Sequence, residues 1–159
     1  MTVDPAELRH FYASATLRAP ENAIGFVLWR VAHLYQREAE RVLVPLRLTH
    51  LQFTTLAMVG WLCRSGEPPT QAMLARDAEI HPMQVSLMLK ALETKALIER
   101  SRSADDPRAK RVAITSQGLD ALRQAMPLVI ALQERMFGSA GAPDGTLLTA
   151  LREVENRAG

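Results

Sequence analysis

The segment Asp105-Asp106-Pro107-Arg108-Ala109-Lys110-Arg111 concentrates cations on what reads as a turn, and its chemistry is contact with an anion. From Lys90 to Arg111 there are seven basic residues (Lys90, Lys95, Arg100, Arg102, Arg108, Lys110, Arg111) against four acidic ones (Glu93, Glu99, Asp105, Asp106). The remaining segments carry 12 basic and 13 acidic residues, so the positive excess of the chain, net +2, sits here. Localised positive charge is the footprint of a phosphate backbone. All but three of the 19 basic residues are Arg, whose planar fork suits phosphates and base edges, although a GC-rich genome produces the same usage.

Catalytic chemistry has no comparable footing. The four histidines (His10, His33, His50, His81) are scattered, and no HExxH, CxxC, GxSxG or phosphate-loop pattern occurs. Asp105 and Asp106 are adjacent, so their carboxylates do not naturally converge as a dyad. The expectation is no enzyme, no metal and no cofactor. Cys63 is the only cysteine, which precludes an internal disulfide and fits a reducing compartment. It reads as an inert buried thiol rather than a redox switch. Without a signal-like N-terminus or a run of 18 apolar residues, the chain is expected in the cytoplasm, with no membrane partner.

Positioning the cations requires a scaffold, and the composition favours helices. Aromatics are 5% of 159 residues, so the core rests on Leu, Val, Ala and Met. Three- and four-residue apolar spacing predicts a helix over 21–44, closed by Pro45, with a helical turn over 6–13 before it. Thr49-His50-Leu51-Gln52 has capping-box form and opens a helix running to Ser65-Gly66. Glu67-Pro68-Pro69 reads as a turn, and Thr70 as the cap of a short helix over 71–78. His81-Pro82 opens a helix over 81–95, with Val85, Met88, Leu89 and Leu92 inward. Its other face shows Met83, Gln84, Ser86, Leu87 and Lys90.

The period then changes. Leu97–Arg100 and Val112–Thr115 are β-like runs around the polar loop 101–111, which predicts a hairpin with an exposed tip. Helical spacing resumes over 116–137, with Leu119, Leu122, Met126, Val129, Ile130, Gln133 and Phe137 on one face and a kink expected at Pro127. A turn over 138–145 leads to a last helix marked by Leu147, Leu148, Leu151 and Val154. Two short helices joined by a tight turn form a helix-turn-helix, whose second helix enters a DNA major groove, and the hairpin makes it a winged variant. The fold class expected is mainly α with a small β-hairpin wing.

Three motifs carry a family resemblance. Asp106-Pro107-Arg108-Ala109-Lys110-Arg111-Val112-Ala113-Ile114-Thr115, followed by Gly118, resembles the wing signature D-x-R-x-x-x-V-x-[LI]-T of the MarR family of winged-helix regulators. Leu92–Arg100 is similar to that family's L-E-x-x-G-L-[IV]-x-R, and Pro45–Phe53 to its P-L-x-L-[ST]-x-x-Q-[FWY]. Each motif is loose; their order and spacing are specific, and the resemblance covers roughly residues 21–157. It implies a homodimeric regulator of double-stranded DNA, a repressor acting on a near-palindromic site. It further implies helical dimerisation layers at 1–47 and 116–159 flanking a DNA-binding lobe at 48–115.

The resemblance also assigns roles. Arg108 matches the wing-tip Arg that enters a minor groove, and Asp106 the acid that braces the wing. Met83, Gln84, Ser86, Leu87 and Lys90 would face base edges or phosphates, Gln84 being suited to adenine. Arg100, Arg102, Lys110 and Arg111 would meet phosphates or brace the wing. Relatives that bind aromatic acids imply a small aromatic or anionic effector, with Trp29, His33 and Trp61 as candidates, although residues of these types are more often plain core. Two departures stand out. Leu87 replaces a polar or basic groove reader, which suggests contact with a thymine methyl, and Ala96 replaces a helix-ending Gly. A left-handed Ala there costs about 1–2 kcal/mol. The rival reading is a winged helix that docks proteins and ignores DNA.

Overall fold

The structure, a computed structural model, describes residues 2–15, 19–102 and 110–158. The chain divides into two compact units, Met1–Glu38 and Ala39–Gly159.

The first unit holds helix α1 (Pro5–Ser14) and the first part of helix α2 (Ile24–Leu43). Asp4 caps α1 by accepting the Ala6 N–H at 2.8 Å, with Pro5 at the first position, where a missing N–H costs nothing. The helix expected from residue 21 begins later, because Pro20–Asn22 forms a separate 3-10 turn. None of the described residues up to Glu38 is buried. Ile24, Phe26, Val27, Leu28, Trp29, Val31 and Leu34 all remain exposed on α2. So much apolar helix surface is a face built to be covered.

The second unit contains the rest of α2, helices α3 (His50–Cys63), α4 (Gln71–Asp77) and α5 (Pro82–Thr94), strands β1 (Ile98–Arg102) and β2 (Lys110–Ile114), and helices α6 (Ser116–Phe137) and α7 (Thr146–Ala158). The expected capping box is present: Thr49 Oγ1 accepts the Gln52 N–H, and Gln52 Oε1 accepts the Thr49 N–H. Thr70 caps α4 by accepting the Met73 N–H. The core joins Leu43, Leu48, Phe53, Leu56 and Val59 to Leu74, Val85, Leu89, Leu92, Ile98 and Val112. It continues into α6 through Leu122, Ala125 and Val129.

The strands pair antiparallel, from Ile98 opposite Ile114 to Arg102 opposite Lys110. Thr115 lies outside β2 and caps α6 by accepting the Gly118 N–H at 3.0 Å. The segment expected to be only a turn supplies a third pairing edge: Pro69 accepts the Val112 N–H at 2.9 Å, and Thr70 bridges to Arg111. Proline has no N–H and joins a ladder only as acceptor, so nothing local in Glu67-Pro68-Pro69 marks it. Helix α6 runs unbroken through Pro127. The single stripe expected on it is split: Leu122, Ala125, Val129 and Leu132 are buried, whereas Leu119, Met126 and Ile130 are exposed.

Three helix ends share one closure without glycine. Arg47, Glu79 and Ala96 have φ of +54°, +50° and +56°. After each, the next N–H reaches five residues back: Leu48 to Leu43, Ile80 to Ala75, Leu97 to Leu92. This is the Schellman arrangement, in which an apolar residue past the left-handed position anchors the turn; Leu48 and Leu97 are buried and Ile80 packs on the core. Ala96 therefore keeps the left-handed geometry at its expected cost. Ala96→Gly should raise folding stability by about 0.5–1 kcal/mol, the relief of strain being offset in part by the freer unfolded chain. Urea midpoints of the two proteins check this.

No single helix among the described residues is long and apolar enough to cross a membrane.

Candidate nucleic-acid interface

Because Val85, Leu89 and Leu92 are drawn into the core, helical geometry turns Met83, Gln84, Leu87 and Lys90 outward, and all four are exposed. Ser86 is half-buried beside them. The helix start is held by His81, whose Nδ1 accepts the Met83 N–H at 3.3 Å. Ser86 and Lys110 border one groove of about 730 Å³, together with Thr70, Gln71, Arg76 and Pro82. Helices α4 and α5 and the base of the hairpin thus open onto a single surface.

The basic residues on this surface fall into two sets. Lys90, Arg102 and Lys110 are exposed, and Arg102 faces Lys110 directly across the strands. Arg100 is 17% exposed and binds the Glu93 carboxylate through both Nε, at 3.0 Å, and Nη2. That hydrogen bond holds the Glu93 carboxyl below its usual range, helped by the charges of Arg100 and Lys110 and opposed by desolvation. Arg111 donates to the Pro68 carbonyl at 3.1 Å and lies 3.9 Å from Glu67. Arg100 and Arg111 are therefore braces, tying the hairpin to α5 and to the turn before α4. Asp106 and Arg108 lie outside the described residues.

Some members of the site carry no sequence signal. Gln71 and Arg76 of α4 line the groove, Arg76 also pairing with Asp77 at 2.7 Å. Lys95, one of the seven basic residues of the segment, is structural: its Nζ donates to the Arg47 carbonyl at 2.5 Å and to Gln52 Oε1 at 2.8 Å. It joins the end of α5 to the cap of α3. Only the side chain's reach across 43 residues of sequence reveals this.

Of the effector candidates, Trp29 and His33 come together in the first unit, with ring centroids 4.3 Å apart, and border a groove of about 360 Å³ with Arg30 and Arg37. Trp61, in the second unit, is exposed, and the Arg64 guanidinium lies 3.6 Å from its ring centroid, a cation–π contact. Cys63 is half-buried and donates its S–H to the Val112 carbonyl at 3.6 Å.

A three-helix core whose α4–α5 pair is followed by a two-stranded wing defines a winged helix-turn-helix. The MarR family model matches residues 48–110. An uncharacterized HTH-type transcriptional regulator of Bacillus subtilis, YdcH, is 31% identical over 135 residues, covering 85% of this chain and 91% of that protein. The structure of CouR from Rhodococcus jostii RHA1 bound to p-coumaroyl-CoA superposes with a TM-score of 0.72 at 28% identity, over 86% of this chain and 91% of CouR. A mutant MarR from E. coli complexed with operator DNA gives 0.71 at 25%, over 82% and 92%. The chain belongs to the MarR family and is a transcriptional regulator of MarR type, a class without enzymatic activity.

Proposed function

We propose that this regulator binds double-stranded DNA as a homodimer on a near-palindromic site, repressing the genes it overlaps. The observation that carries the reading is one groove bordered by Gln71 and Arg76 of α4, Pro82 and Ser86 of α5 and Lys110 at the hairpin base, on a helix whose other outward residues, Met83, Gln84, Leu87 and Lys90, are exposed. An α-helix fills a major groove while flanking cations meet phosphates on either side. In this assignment Gln84, Leu87 and Met83 face bases, Lys90, Arg102 and Lys110 face phosphates, and Arg108 enters the minor groove. Arg100 and Arg111 hold the wing in place, and Asp106 braces its tip. The complex of a related MarR with operator DNA supports the partner.

Two features support the homodimer. The first unit exposes its apolar α2 stripe, and α7 exposes Leu147, Leu151 and Val154. A self-paired interface is the ordinary use of such surfaces. The outer helices, 1–47 and 116–159, are accordingly assigned to dimerisation, with α6 also supplying core to the lobe at 48–115. A small aromatic or anionic effector suits the Trp29–His33 pair, set among Arg30 and Arg37; the p-coumaroyl-CoA complex of CouR is in keeping with this. Trp61 is retained as a third candidate. The cytoplasm is the compartment in which such a protein meets its operator.

The test is titration of duplexes selected from the source genome at several salt concentrations. Tight binding with log K falling steeply against log salt is expected. Arg108→Ala should weaken binding and flatten that slope by about one unit per protomer. Binding to no duplex, or a slope near zero, would leave the protein-docking reading in its place.

A further inference from the structure

The outer face of α5 carries two well-exposed apolar side chains among its polar ones. Met83 is 68% exposed and Leu87 57%, and they lie four residues apart on the same side of the helix. Neither serves the core, because α5 fills its inner side with Val85, Leu89 and Leu92. The pair is too small to bury the area a stable protein partner needs. It occupies the N-terminal half of α5, the part of a recognition helix that reaches base edges. Lys90 follows one turn later on the same side, and Arg102 and Lys110 stand exposed on the wing. Two apolar side chains framed by cations match a surface with methyl groups on its floor and phosphates on its rims. A major groove rich in thymine is such a surface, since thymine alone among the DNA bases presents a C5-methyl there.

We propose that Met83 and Leu87 form an apolar reading edge for thymine C5-methyl groups, an assignment that rests on the duplex-binding reading above. Gln84, next to them, is placed to pair bidentately with an adenine N6 and N7. The specificity-determining contacts of the half-site therefore fall on A·T pairs, and part of the discrimination is between a methyl and a hydrogen.

The deciding experiment uses duplexes selected by the full-length chain from a random-sequence pool. Each thymine of the consensus is replaced singly by deoxyuridine, which removes the methyl and leaves every hydrogen-bonding group. At one or two positions per half-site the replacement should raise Kd about fourfold, the equivalent of one CH₂ returned to water. The slope of log K against log salt should not change, since no phosphate contact is lost. Leu87→Ala should bind the thymine duplex more weakly and bring the thymine-to-uracil ratio close to one at the position it reads. If selected duplexes bind tightly and uracil equals thymine everywhere, the inference is overturned while the duplex-binding reading stands. If the pool yields no bound duplex, both fall.

Discussion

Gly118→Ala is expected to be the most destabilising single-methyl change at a glycine of the second unit's core. A Cβ at this position would lie 2.0 Å from the Leu97 carbonyl oxygen and 2.9 Å from Ile114 Cγ1. The first of these is backbone and cannot rotate away. It is also committed, because Leu97 O accepts the Thr115 N–H at 3.1 Å, and Thr115 Oγ1 in turn donates to the Ala96 carbonyl at 2.7 Å. The first turn of α6 is thus seated on the junction of α5 and β1, and only a residue without a side chain permits that seat. Moving α6 away would open the contact that Leu122 makes with the core. A cost of about 3 kcal/mol or more is expected, at the upper end of overpacking penalties. That corresponds to a fall in Tm of about 6–12 °C for a chain of this size. Gly25→Ala makes the control: nothing lies within 4 Å of its Cβ position, so no loss is expected there. Thermal unfolding of the three proteins checks both.

Arg102→Glu is expected to move binding and stability in opposite directions. Arg102 and Lys110 face each other across the strands, and like charges so placed destabilise a hairpin by tenths of a kcal/mol, on the order of 0.2–1. The replacement turns a repelling pair into an attracting one, so the free protein should unfold at the same temperature or slightly above. Duplex affinity should fall by about ten- to a hundredfold, and the salt slope should flatten by about one unit per protomer as a phosphate contact is lost. Opposite signs in the two measurements separate a missing contact from a damaged fold. A loss of both stability and affinity would return Arg102 to the set of structural braces with Arg100 and Arg111.

The division between bracing and exposed cations is not written along the chain. The seven basic residues between Lys90 and Arg111 look alike in a charge count. What separates Arg100 from Arg102 is a carboxylate on the preceding helix, Glu93, brought within 3.0 Å by the packing of β1 on α5. Similarly, Lys95 stands beside the exposed cations in sequence but spends its donors on Arg47 and Gln52. Helix ends show the same limit. Thr49, Thr70 and His81-Pro82 were readable because a cap acts within three residues. The ends at Arg47 and Glu79 carry no such sign, and their left-handed turns are held by Leu48 and Ile80 reaching the core; at Ala96 the family resemblance alone pointed to the turn.

The sequence by itself determined the inner and outer faces of α5, the hairpin after it and the local excess of positive charge. Those features follow from spacings of two or three to four residues, and each is settled within a few peptide units. Only the tertiary structure decided that Pro69 and Thr70 pair with the hairpin, and that α6 presents two apolar faces rather than one. It also showed that Gly118 is required by a carbonyl 21 residues earlier. Each of these depends on which distant backbone or side chain arrives at the site, and a pattern along the chain does not encode that arrival.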